Sequence, residues 1–368
     1  MVAMQADMPI LLWGPPGRGK SSLMEAIGRS WGESKGVKGG FQVVTYTGTT
    51  SDPSDMGFPF LENGIAYRAK TDWAVELIAA AGRDGIAILF LDELTTCSPA
   101  MRAAMLQVVL RRVVGATKLP KGVVVVAAAN DPEHAPNGTD LDPALANRFL
   151  HIDMKKNHLD FIDGAISHWP DPEMLELPAG WQERRDEATG IVCQFIGASP
   201  TSLYDVPTDL SKAGKAWASD RTWYDFGITT LAAGIALERN VGTDPLILGL
   251  LGAAVGPDKS QIFSTFRRDV QIPDPELLIS DPSQVRVFPR GDQTFAMWVA
   301  VYQSIVTVPT VPRWDAAWQI IYAIYDQEQK EIATAAAKML MPKKGSIVGA
   351  GTPEGLAQRF GPIFRHLR

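Results

Sequence analysis

Two short stretches of this chain carry residues whose types and spacing suit phosphate chemistry. The first is Gly14-Pro-Pro-Gly-Arg-Gly-Lys20-Ser21-Ser22, which fits the pattern G-x-x-x-x-G-K-[ST]. Glycines in such a loop let backbone N–H groups curl around phosphate oxygens, and the positive end of a following helix adds to the attraction. Lys20 is placed to reach the β- and γ-phosphates, and the Ser21 hydroxyl to ligate Mg²⁺. Gly14, Pro15, Pro16, Gly17, Arg18, Gly19, Lys20, Ser21 and Ser22 are therefore read together as a triphosphate-binding loop. The second stretch is Ile88-Leu-Phe-Leu-Asp92-Glu93, an apolar run ending in two carboxylates. Asp92 would hold Mg²⁺ through water, and Glu93 would orient and polarise the water that attacks the γ-phosphate. Alone, the same residues describe an ordinary buried strand with an acidic turn. Their place on a strand of their own, about seventy residues after Lys20, favours the catalytic reading.

These residues need elements to bring them together, and the first half of the chain supplies a regular alternation. Strand-like runs at Pro9–Trp13, Phe41–Tyr46, Ile86–Leu91, Gly122–Ala128 and Phe149–Asp153 alternate with helical patterns. The helical patterns lie at Ser21–Trp31, Asp72–Ala81, Pro99–Arg111 and Pro143–Asn147. Alternation of this kind predicts an α/β fold with a five-stranded, mainly parallel sheet flanked by helices. Continuously apolar strands fit burial on both faces. Asp52–Arg68, rich in Pro, Gly and Phe, reads as an inserted loop or hairpin. Residues 169–178 read as a linker. From about Pro200 helical patterns take over, at Thr222–Glu238, Asp244–Val255, Gln293–Thr307 and Trp314–Leu340, with Gly256–Pro289 loop-rich between them.

Composition narrows the class. The chain has 368 residues, 46% of them apolar and 21% charged, enough for a sizeable core in two or three domains. A net charge of −6 argues against a generally basic, nucleic-acid-coating surface, although a local basic channel stays open. Cys97 and Cys193 alone, far apart, indicate neither a disulfide framework nor a zinc site. No apolar run reaches membrane-spanning length and no signal-peptide layout is present, so the cytoplasm is the expected compartment. The five histidines, at 134, 151, 158, 168 and 366, lack metal-ligand spacing and read as structural or surface residues. Trp298, Trp314 and Trp318 read as packing residues. Lys343-Lys344 and Arg365–Arg368 read as a solvated basic tail.

Four segments together, Gly14–Ser22, Leu89–Glu93, Ala127-Ala-Ala-Asn130 and Leu141-Asp-Pro-Ala-Leu-Ala-Asn-Arg148-Phe149, resemble the AAA+ ATPases. The nearest likeness is to the MoxR-like and dynein-related group, which includes magnesium-chelatase ATPase subunits. The likeness covers roughly residues 8–255, strongly to 155. It implies a ring, usually hexameric, with ATP and Mg²⁺ held between neighbouring subunits. Asn130 matches the polar sensor 1 residue, within reach of the γ-phosphate or the attacking water; a turn-capping asparagine is the plain alternative. Arg148 matches the arginine finger that reaches a neighbour's γ-phosphate, against a surface arginine at a helix end. Arg221, in Ala-Ser-Asp-Arg-Thr-Trp223, matches sensor 2 on the lid.

The resemblance also implies an order along the chain: core 1–160, linker 161–199, helical lid 200–256, helical extension 257–341 and a mobile basic tail 342–368. Phe58 and Phe60 occupy the place of the group's helix-2 insertion, as pore contacts or in a hairpin packed on its own sheet. Val113–Gly122 lies where a further insert precedes sensor 1. Arg111 and Arg112 are either subunit-interface residues or a basic helix end. Only about eight residues precede the first strand, where relatives carry an extra helix against the adenine, so the expectation is either that Asp153–Leu159 and the lid hold the base or that the native start lies upstream. Adenine over guanine rests on the resemblance, with the lack of N-K-x-D as slight support. The implied work is remodelling, activating or maturing a partner protein, a von Willebrand A-domain protein first among them. A nucleic-acid motor or loader, a chelatase-type cofactor-insertion subunit and a slow nucleotide-dependent scaffold are the rivals.

Overall fold

The strand Val123–Ala129, with the sequence VVVVAAA, is buried along its whole length, and it sits in the middle of a five-stranded sheet. The computed structural model describes residues 1–57, 59–130, 141–155, 157–269, 273–353 and 355–364. The five sheet strands are β1 (Ile10–Trp13), β2 (Val43–Thr47), β3 (Ala87–Asp92), β4 (Val123–Ala129) and β5 (Leu150–Asp153). All pair in parallel, in the order β2-β3-β4-β1-β5. The register aligns their carboxyl ends: Trp13 faces Ala129 and Asp153, and Thr47 faces Asp92. Whatever follows β1, β2, β3 and β4 therefore leaves from one edge of the sheet, the usual ligand-binding edge of open α/β folds. This is the expected α/β fold with a five-stranded parallel sheet flanked by helices, its strands displaced by a residue or two from those read in the sequence.

Helices Lys20–Ser34, Asp72–Asp84 and Pro99–Arg111 flank the sheet. Pro99 occupies the first helical position behind Ser98, whose hydroxyl accepts from the Met101 N–H, so the start of that helix is fixed locally. Gly32 lets its helix approach the segment before β2, because a Cβ there would lie 2.2 Å from the Phe41 nitrogen. Asp52–Arg68 forms a 3₁₀ turn at Pro53–Met56 and then a hairpin, Pro59–Glu62 with Ile65–Arg68, turning at Asn63-Gly64 with positive φ at both. Its strand residues are exposed rather than packed on the main sheet. Val113–Val114 and Thr117–Lys118 make a second, two-rung hairpin.

The chain divides into two compact units, Met1–Glu183 with Tyr204–Gln261, and Arg184–Leu203 with Ile262–Arg368. This differs from a simple succession of core, linker, lid and extension. Within 161–199 the chain forms most of helix His158–Ile166, a 3₁₀ turn at Trp181–Arg184 and the whole of helix Arg185–Ala198, which belongs to the second unit. The second unit has its own core around Trp298, Trp314 and Trp318, each at most 2% exposed, as packing residues should be. The expected tail beyond 342 contains helix Leu356–Phe364, whose Phe360 is fully buried in that core.

Two expectations about helices are corrected. Gly256–Pro289 is largely helical, with helices Pro257–Asp269 and Pro275–Ser280. Pro257, Pro275 and Pro282 occupy first helical positions, where the missing N–H costs nothing, and Asp274 caps the second helix at Glu276 N–H. The single helix expected over Trp314–Leu340 is two, Val311–Asp326 and Lys330–Leu340, broken where Glu328 takes φ 68°.

Candidate nucleotide-binding site

The loop after β1 holds its shape through backbone conformations that side chains disfavour. Gly19, at φ 78°, forms the N-cap of helix Lys20–Ser34 without any side-chain cap, which leaves first-turn N–H groups for an anion. Gly17 also has positive φ. Gly14 N–H donates to Ala129 O at 3.2 Å, and the Arg18 guanidinium donates to Lys155 O at 2.7 Å, tying the loop to β4 and to the chain beyond β5.

Lys20 is only 8% exposed, so its ammonium needs partners. It donates to Gly14 O at 2.7 Å, Pro15 O at 3.3 Å and Asn130 Oδ1 at 2.8 Å. The fold has thus brought together a lysine and an asparagine 110 residues apart. Ser21 Oγ donates to Asp92 Oδ2 at 3.3 Å, while the other oxygen of Asp92 accepts the Glu93 N–H at 2.8 Å. Glu93 has φ 60°, an unusual backbone for a glutamate, and its carboxylate accepts a hydrogen bond from the Thr49 hydroxyl. Thr49 follows β2, and no sequence pattern had singled it out. The turn beyond Glu93 closes on β4, with Leu94 N–H donating to Ala128 O and Thr95 Oγ1 to Asn130 O.

Ser21 and Asp92 offer hard oxygens side by side, the donor chemistry that suits Mg²⁺ completed by water and phosphate oxygens. No cluster of three or more His, Cys, Asp or Glu suited to a metal ion occurs among the described residues.

Arg148 and Arg221 lie apart from this cluster of contacts. Arg148 follows helix Pro143–Ala146, half-buried, with no side-chain partner among the described residues. Arg221 is exposed immediately before the π-helical turn Thr222–Gly227, which continues as helix Ile228–Ala236, and it too has no side-chain partner among them. The residue before Arg148 is strongly anchored. Asn147 is buried and bonds to Trp217 O and Ser219 Oγ. His151 is also buried: its Nδ1 accepts from Trp13 Nε1 and its Nε2 lies 2.8 Å from Ala146 O. Burial lowers the His151 pKa to about 4, the Ala146 carbonyl opposes that shift, and nearby Lys215 adds to it. Lys215 sits over the Trp13 ring at 3.4 Å. A cleft of about 920 Å³ opens beside these residues, lined by Met1, Val2, Asp153, Lys215, Leu246 and Gly249 among others.

The remaining residues singled out in the sequence have the following surroundings. Arg112 takes φ 54° and pairs within the chain, with Asp7 and Val123 O, while Arg111 ends its helix. Phe60 is 43% exposed and stacks on Tyr67. Phe58, His134, His366 and Arg365–Arg368 lie outside the described residues. Gly28-Arg-Ser30-Trp-Gly32 has the letters of a nucleophile elbow, but it lies inside helix Lys20–Ser34 and lacks the strand-to-helix turn. No helix among the described residues is long and apolar enough to cross a membrane.

Residues 10–155, the region from β1 to just beyond β5, match the model of the ATPase family associated with various cellular activities (AAA). The match implies nucleotide binding and, in general, ATP hydrolysis. No curated protein matches the chain. Two solved structures overlap it loosely. A proposed ATPase from Cytophaga hutchinsonii has a TM-score of 0.42 and 13% identity, over 78% of this chain and 88% of that one. A full-length MCM homolog from Methanopyrus kandleri has a TM-score of 0.36 and 18% identity, over 69% of this chain and 55% of that one.

Proposed function

We propose that the chain is a Mg²⁺-dependent, MoxR-like ATPase that hydrolyses ATP between neighbouring copies in a ring, to remodel, activate or mature a partner protein. The observation that carries this reading is the meeting of Lys20, Ser21–Asp92, Asn130 and Thr49–Glu93 at the carboxyl ends of four adjacent strands. Phosphate oxygens would exchange with the Gly14 and Pro15 carbonyls on the Lys20 ammonium, helped by the loop amides from Gly14 to Ser22. Ser21 and Asp92 would hold Mg²⁺, which when bound offsets charge on the β- and γ-phosphate oxygens. Glu93 would accept a proton from the attacking water, oriented by Thr49. Asn130 Oδ1 accepts from the Lys20 ammonium, so its amide N–H₂ would donate to that water or to the γ-phosphate. Arg221 would reach the nucleotide from the same chain and Arg148 the nucleotide of the next copy; their lack of side-chain partners among the described residues supports roles toward groups outside the protomer. The cleft between the first residues, the end of β5 and helix Pro245–Val255 suits the base.

A protein partner, such as a von Willebrand A-domain protein, is favoured over a nucleic acid, since the net charge is −6 and the exposed hairpin presents Phe60, Leu61 and Tyr67. Calorimetry and steady-state turnover test the reading together. Wild type should bind ATP and hydrolyse it only with Mg²⁺. Lys20→Ala should lose binding, and Glu93→Gln should bind ATP yet lose at least about 100-fold in kcat. Turnover by Glu93→Gln at the parent rate would remove Glu93 from the chemistry.

A further inference from the structure

Asn147 is a buried asparagine with both ends of its amide engaged across a gap of about seventy residues. Its Nδ2 donates to Trp217 O at 3.2 Å, and its Oδ1 accepts from Ser219 Oγ at 2.6 Å. Ser219 is locked in turn to Thr222: Ser219 N–H donates to Thr222 Oγ1 at 2.9 Å and Thr222 N–H to Ser219 Oγ at 3.2 Å. Thr222 Oγ1 also lies 3.2 Å from Trp217 O. Asn147 is 5%, Ser219 5% and Thr222 0% exposed, so little water is at hand to replace a broken bond. Arg221 lies between Ser219 and Thr222, and Arg148 is the next residue after Asn147. The same turn is held on its other side, where Ala146 O accepts from His151, whose ring accepts from Trp13, the residue before the phosphate loop.

From this network we infer that Asn147 is a positioning residue that ties the direction of Arg148 to the segment carrying Arg221. The position a protomer's lid takes on its own nucleotide would then set the arginine it offers to its neighbour. The physical reason is the cost of leaving buried polar atoms unpaired. When segment 217–222 shifts, the turn at 146–148 either follows or leaves the Asn147 amide and the Ser219 hydroxyl without partners, and following is cheaper. The Arg148 side chain has no partner of its own among the described residues, so its backbone decides where it points.

The inference rests on the proposed roles of Arg148 and Arg221, and the test separates the two. Full-length Arg148→Ala, Asn147→Ala and Ser219→Ala are assayed for ATP affinity, kcat and KM, then each is mixed with Lys20→Ala, which keeps its finger but cannot bind ATP. Asn147→Ala should hold ATP affinity and KM within about twofold while kcat falls roughly 100-fold, since a small misplacement of a catalytic group costs that much. Ser219→Ala should change in the same direction, and the double variant should be no worse than Asn147→Ala. Mixing with Lys20→Ala should restore turnover, because the defect lies in what the subunit offers its neighbour. Asn147→Ala with normal kcat, or with a loss that mixing does not repair, overturns the coupling while inactive Arg148→Ala leaves the function standing. Full turnover by Arg148→Ala overturns both. If Asn147→Ala does not fold, Ser219→Ala, which removes one hydroxyl, carries the same test with the same outcomes.

Discussion

At the scale of single residues, Glu93 shows how the site works against its own backbone. Its φ of 60° turns the side chain away from the line of β3, and a hydrogen bond from Thr49 fixes the carboxylate there. Such strain persists where surrounding bonds enforce it, here the Glu93 N–H to Asp92 and the turn closed on the Glu93 carbonyl by Thr96. If Thr49 holds Glu93 for catalysis, Thr49→Val should lower kcat roughly tenfold with KM nearly unchanged, and Thr49→Ser should restore it. Steady-state kinetics on the three proteins decide the point; unchanged kcat in Thr49→Val would give the bond a structural role only. Lys20, Ser21, Asp92 and Glu93 stand out in the sequence because each belongs to a short pattern, and the fold brings them into one group of contacts. Thr49 and Asn147 were not singled out as site residues. They bond to partners 44 and 70 to 72 residues away, and no local pattern encodes a distance that only the fold closes.

At the scale of elements, strands were legible because burial on both faces demands continuous apolar runs, as in β3 and β4. Helix starts were less so. Prolines at 257 and 275 look like breaks in the sequence, yet each opens a helix, and whether a proline starts or stops a helix depends on the residues around it. The joint between β1 and β5 has its own signature. Trp13 ends β1, His151 lies in β5, and the ring nitrogen that accepts from Trp13 must be unprotonated to do so. His151 has its pKa lowered to about 4 from 6.5 in the folded state, so the unfolded chain binds the proton more tightly. Its contribution is present above about pH 6.5 and is lost as pH falls toward 4. The loss is on the order of 3 kcal/mol. Urea unfolding of wild type and His151→Gln at several pH values should show the difference in stability shrinking across that window. A difference that stays constant with pH would mean that His151 is not held neutral.

At the scale of the whole molecule, two compact units share one chain, with the second formed from a helix at 185–198 and everything after 262. Residues 10–155, which match the AAA family model, lie wholly in the first, as does the segment from 204 to 261 that carries Arg221. The interleaved order was not legible, because helix Arg185–Ala198 follows a proline- and acid-rich stretch that reads as linker and gives no sign of the core it joins. The division of labour proposed for the site is that Lys20, Ser21, Asp92, Glu93 and Asn130 serve the protomer's own nucleotide while Arg148 serves the next. Mixing Arg148→Ala with Lys20→Ala and measuring ATP turnover tests that division most directly. Each variant alone should be nearly inactive, and equal mixing should recover about a quarter of wild-type turnover, since intact sites then meet intact arginines by chance. A mixture as inactive as its components, or an Arg148→Ala protein that hydrolyses ATP at full rate alone, would contradict cleavage shared between neighbours.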